Sequence, residues 1–105
     1  MPINADSTLN HGADYNNVRI DDLDEIVFEI RGRNDDTNWH WIVRRRDGGY
    51  AYITGWCYYT GWDAGSRMDR HDADTLEAAI LLAPQDERRI FEDMKFAGEA
   101  VRAAA

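Results

Sequence analysis

The densest group of chemically useful side chains is Trp56-Cys57-Tyr58-Tyr59-Thr60-Gly61-Trp62-Asp63, with Trp39 and Trp41 a short distance upstream. Indole and phenol rings offer broad contact area at low entropic cost, the property that enriches them at binding hot spots. They are equally the natural core of a small domain with modest aliphatic content. Thr60, Gly61, Trp62 and Asp63 lie where a strand-like run ends, which makes them the better recognition candidates. The one cationic cluster is Arg44-Arg45-Arg46. Strand alternation sends Arg45 to one face and Arg44 and Arg46 to the other, so the three cannot act as a single clamp. Either they are a solvated strand end facing acidic neighbours, or Arg44 and Arg46 hold a phosphate beside a stacked base.

Reaction chemistry finds little support in the remaining candidates. Asp63, Asp69, His71, Asp72 and Asp74 crowd one segment, but their spacing matches neither an EF-hand nor a compact zinc motif. His11, His40 and His71 are scattered. Cys57 and His40 could meet across a hairpin, although a strand cysteine is more often a small inert hydrophobe. The chain has no Walker loop, dinucleotide fingerprint or Gly-x-Ser-x-Gly elbow. The expectation is a protein that is not an enzyme and uses no cofactor or metal.

The elements that must position these groups follow from periodicity. The 105 residues suit one small domain, and 44% hydrophobic with 11% aromatic residues is enough for a packed core. Met1 to Asn17 shows no period and reads as a mobile arm, leaving 18–105 as a single α+β domain. Ile26, Phe28 and Ile30 alternate with polar neighbours and predict a first strand over 25–33. Gly32, Asn34, Asp35, Asp36 and Asn38 supply a turn. Runs 39–46 and 50–60 flank Asp47-Gly48-Gly49 and predict a tight hairpin. A two-residue turn would place Trp39, Trp41 and Val43 beside Tyr52, Thr54, Trp56 and Tyr58. A three-residue turn with a bulge would exchange these partnerships.

Residues 61–70 have no apolar period and read as a loop. Asp74-Thr75-Leu76-Glu77 resembles a capping box with Asp74 as cap, followed by an apolar stripe of Leu76, Ala79, Ile80 and Ala83. Pro84 ends that helix and suits the first turn of another, whose buried stripe is Ile90, Phe91, Met94, Ala97 and Val101. Gly98 closes the packed part of this helix, with Arg102 to Ala105 fraying. The predicted architecture is a three-stranded antiparallel meander followed by two short helices packed on one face.

Charge bounds the partner. The net formal charge is −8. Residues 1–36 carry nine acids against three bases, 37–71 carry three against five, and 72–105 carry eight against four. Acidic flanks disfavour direct nucleic-acid binding and favour a basic partner. The longest uncharged run, Tyr50 to Trp62, is too short and polar to span a bilayer, and the opening residues lack a secretory pattern, so a cytoplasmic setting without membrane contact is expected. An open edge on the third strand leaves room for a homodimer.

The Trp56 to Asp63 segment, the helix start Asp74-Thr75-Leu76-Glu77-Ala78 and the closing Asp86-Glu87-Arg88 together resemble small uncharacterised proteins carried by actinobacterial phages, over residues 25–98. The chain departs from that pattern at Tyr58, where an acidic residue is common, and at Ala64 or Gly65, where a cysteine is expected. The resemblance implies a short accessory protein inside an infected bacterium and assigns no site residue. The expected function is docking on a host or phage macromolecule, with inhibition of a host defence or nucleic-acid enzyme as its concrete form. The alternative is a binder of a nucleotide-like ligand, stacked on Trp56 or Trp62 and neutralised by Arg44 or Arg46.

Overall fold

A computed structural model describes residues 3–4, 6–32 and 38–104. The elements are α1 (Thr8–Asn16), β1 (Leu23–Arg31), β2 (Asn38–Arg45), β3 (Tyr50–Tyr58), β4 (Gly61–Ala73), α2 (Leu76–Leu81) and α3 (Gln85–Ala104). The four strands form one antiparallel meander in sequence order. The class is α+β, as expected, but the sheet has a fourth strand. Of the turn expected from Gly32, Asn34, Asp35, Asp36 and Asn38, residues 34–36 lie outside the described residues, and Asn38 opens β2.

β4 occupies the stretch read as a loop. Its sequence carries no apolar alternation because it is an edge strand. It is held by backbone pairing to β3 from Tyr50↔Ala73 to Cys57↔Ser66 and not by a hydrophobic face of its own. Only Met68 among its side chains is fully buried.

The β2–β3 hairpin takes the three-residue turn. Arg45 N–H donates to Gly49 O at 2.8 Å and Gly48 N–H to Arg45 O at 3.1 Å, with Gly48 alone at positive φ (93°). This is a turn followed by a glycine bulge, further held by Asp47 Oδ1 accepting from Gly49 N–H. Odd residues therefore pair with odd ones: Val43↔Ala51, Trp41↔Ile53, Trp39↔Gly55. The two-residue alternative, with Trp39 and Trp41 beside Tyr52, Thr54 and Trp56, is overturned.

Each face of the sheet has its own core. One buries Trp39, Trp41, Val43, Ala51, Ile53, Cys57 and Met68 beneath Leu9 and Ala13 of α1. The segment expected as a mobile arm thus contains a packed helix. Ser7 caps it, accepting from Asn10 N–H at 3.1 Å, and Asn17 at φ 54° closes it. Its buried stripe joins one large residue, Leu9, to Gly12 and Ala13, too few large apolar groups for a helical period to show. At Gly12 an added Cβ would stand 2.8 Å from Trp62 Cη2, so the helix can approach the sheet only with glycine there.

On the opposite face Ile30, Ile42 and Tyr52 pack beneath Ala79 and Ile80 of α2, Phe91 of α3 and Ala83 between them, the helical layer predicted from the sequence, although α2 stops at Leu81 and so leaves Ala83 out of its stripe. The α2 cap is Thr75, whose side chain accepts from Ala78 N–H at 3.1 Å, one residue later than the expected Asp74. α3 continues past Gly98 to Ala104, and Ala97 is exposed, not part of the buried stripe. No helix among the described residues is long and apolar enough to cross a membrane.

Candidate functional site

The aromatic residues divide into two groups. Trp41 is fully buried and Trp39 nearly so, and their rings stack with centroids 6.2 Å apart. Trp62 is drawn into the same stack. Between Gly61 and Ser66 the pairing of β4 with β3 skips residues 62–65, and this excess turns the Trp62 indole back under α1. There it stacks on Trp39 at 5.2 Å. Trp39, Trp41 and Trp62 therefore belong to the core, as does Cys57. The Cys57 strand position faces away from that of His40, which removes the cysteine–histidine pair.

The second group is wet. Trp56 is 43% exposed, Tyr58 51% and Tyr59 87%, and they line up at the end of the β3–β4 hairpin with Thr60 and Asp63 also exposed. Tyr58 meets the Trp56 ring edge-on, centroids 4.9 Å apart. Gly65, at φ 149°, lets the Tyr58 ring lie against the backbone, where a Cβ would come within 2.7 Å of it. The rings are thus mutually supported, and little further ordering is needed to present them.

Arg44 and Arg46 stand at the other end of the sheet. Asn38 pairs with Trp56, and Arg44 lies six residues further along β2, about 20 Å away at the strand rise. Arg44 is held by Asp24 at 3.0 Å and Glu25 at 2.9 Å, and Arg46 donates to Asp21 O at 2.6 Å. The arginines and aromatics of the expected nucleotide site do not converge. Asp69, His71 and Asp72 alternate along β4, and among the described residues no three metal-ligating side chains come together.

What sequence reasoning missed is a cleft of about 290 Å³ next to Trp56. α2 and α3 cover only part of their sheet face, and the uncovered end presents two cross-strand rows, Asn38–Trp56–Arg67 and His40–Thr54–Asp69. Glu87, in the first turn of α3, also lines it. His40 forms the floor of a relay: Nδ1 lies 2.7 Å from the Tyr52 hydroxyl and Nε2 lies 3.3 Å from Glu87 Oε1. A carboxylate can only accept, so Nε2 carries the proton and Nδ1 accepts from Tyr52. Burial pushes the His40 pKa below its ordinary 6.5, with Glu87 opposing, and burial together with Glu87 holds the Tyr52 hydroxyl well above its usual range. Both groups are neutral at pH 7. Arg67 Nε donates to Asp69 Oδ2 at 2.8 Å.

Two sequence signals could have pointed to the cleft: a glycine-bulge turn, weighed as the alternative register, puts His40 opposite Thr54, and the spacing Arg67, Asp69, His71 in the stretch read as a loop puts all three on one face of a strand. No protein-family model, curated protein or solved structure matches the chain.

Proposed function

We propose that this chain is a small, acidic, non-enzymatic binding protein that docks on a macromolecule with a basic surface, using the hairpin end built by Trp56, Tyr58, Tyr59, Thr60, Gly61 and Asp63. The observation that carries this reading is the contiguous run of Trp56, Tyr58 and Tyr59, left in water by a fold that buries Trp39 and Trp41 nearly completely. Exposed rings supported by one another are the usual anchors of an interface.

Charge favours a basic partner. Most arginines of the described residues are bound to the chain's own acids or carbonyls, including Arg19, Arg44, Arg45, Arg67 and Arg70. Asp14, Asp63, Asp86, Glu92 and Asp93 have no ion-pair partner among the described residues and contribute the excess negative field. The likeness to actinobacterial phage proteins supplies a setting: a host or phage protein in the bacterial cytoplasm, with inhibition of a host defence or nucleic-acid enzyme as the outcome.

Capture from host lysate on immobilised protein, run in parallel with Trp56→Ala and Tyr59→Ser, tests this reading. A basic protein retained by the wild type and lost with both variants, at unchanged melting temperature, supports it. Retention indifferent to both substitutions, or stabilisation by nucleotides with no protein retained, overturns it.

A further inference from the structure

We propose that the cleft beside Trp56 is a pocket for a single arginine side chain of the docked partner. This inference rests on the docking reading and specifies the chemistry that the partner must carry.

Size comes first. About 290 Å³ accommodates one long side chain and is at the lower limit of ordinary small-molecule pockets. Charge comes second. Arg67 and Asp69 neutralise each other and His40 is uncharged, so Glu87 leaves the cleft with one net negative charge, which a monocation balances. Third, the acceptors are in place. Glu87 gives Oε1 to His40 and Asp69 gives Oδ2 to Arg67, while Glu87 Oε2 and Asp69 Oδ1 have no partner among the described residues. One acceptor comes from α3 and the other from β4.

The fourth argument selects the guanidinium over the ammonium. Trp56 lines the cleft with an indole, the best face for a stacked cation, and Tyr58 supports it edge-on. A planar guanidinium can stack on that ring and still direct in-plane N–H groups to two separate carboxylates, whereas an ammonium is a compact, strongly hydrated point charge. Thr54, paired with His40 on one side and Asp69 on the other, also lines the cleft. Trp56 is shared by the cleft and the exposed hairpin end, so an arginine inserted here would anchor a partner lying across Tyr58 and Tyr59.

The full chain, labelled with nitrogen-15, is titrated with a blocked Gly-Arg-Gly peptide, and the indole N–H of Trp56 and the ring signals of His40 are followed. Saturable shifts of both are expected, with the citrulline peptide, uncharged but of the same shape, binding at least about fivefold more weakly. The lysine peptide should fall between them. Glu87→Gln and Asp69→Asn keep an acceptor for His40 and Arg67, and each should weaken the arginine peptide by about fivefold. Equal binding of the citrulline peptide, shifts mapping elsewhere, or no saturation overturns the proposal. If the peptide fails while capture of a basic protein still depends on Tyr59, the pocket falls and the docking surface stands. If the peptide binds as described and no capture depends on Tyr59, the pocket stands and the docking surface falls.

Discussion

Arg70 holds Asp22 by two parallel hydrogen bonds, Nη1 to Oδ1 and Nη2 to Oδ2, each 2.8 Å long. Arg70 lies on the edge strand β4 and Asp22 just before β1 at the opposite edge, and Arg70 also donates to Arg19 O at 2.6 Å. One guanidinium therefore ties the chain ahead of the first strand to the last strand.

Arg70 lowers the Asp22 pKa from 3.8 to about 2. A carboxylate depressed in the folded state adds stability that is present above its unfolded value and is lost as pH falls through the folded value. Denaturation by urea should accordingly show a loss between about pH 4 and pH 2 that Asp22→Asn abolishes. At pH 7 that variant should cost about 1–3 kcal/mol, because it leaves a half-buried guanidinium with Asp72 as its remaining carboxylate.

His40 titrates in a different window. Its folded pKa lies below 6.5, so the unfolded chain takes up a proton first, and stability is full above pH 6.5 and declines as pH drops toward the folded value. Glu87 from α3 and Tyr52 from β3 face the ring directly, with Asp69 and Arg67 from β4 in the same cleft. An NMR titration of the His40 ring should give a midpoint under 6.5. His40→Gln should flatten the stability profile between that midpoint and pH 6.5.

Trp62 and Trp56 should respond in opposite ways. Trp62→Ala removes a ring stacked on Trp39 beneath α1 and should cost about 2–3 kcal/mol, lowering the melting temperature by about 10 °C or more. Trp56→Ala should change stability by less than about 1 kcal/mol and should act on binding instead. Thermal melts followed by circular dichroism separate the two.

Gly12→Val should loosen the N-terminal helix selectively. The new side chain would overlap Met68 Cε, which can move, and the Trp62 ring, which is wedged against Trp39. A cost of about 1–3 kcal/mol is expected, with faster amide exchange across residues 8–16 than in α3.

Much of the architecture could be read in advance where side-chain pattern and burial agree. The hairpin around Gly48 and the helical positions Ala79, Ile80 and Phe91 show this, whereas in β1 an irregularity between Ile26 and Phe28 sends Ile26 to the α1 face and Phe28 and Ile30 to the α2–α3 face, so the expected single buried face is not what forms. β4 was hidden because pairing, not side-chain burial, makes it a strand. α1 was hidden because, Leu9 apart, its contact face is glycine and alanine. The exposed rings were legible as a group, but not which of them are wet. That division depends on the extra residues 62–65, which turn Trp62 inward and leave Tyr58 and Tyr59 outside. The cleft depends on the hairpin turn, because moving one residue in pairing would have sent His40 away from Tyr52 and Thr54.

From Ser66 to Ala73 the outer rim of β4 is a regular rail of backbone amides and carbonyls, long enough to template a neighbouring chain. Arg67, Asp69, Arg70 and Asp72 stud that rail with alternating signs, each already committed within its own molecule. They are the safeguard against stacking into fibres. Arg67→Thr combined with Asp69→Thr would take charge off the rail while leaving its backbone intact, so self-association, read by light scattering, should rise in that variant.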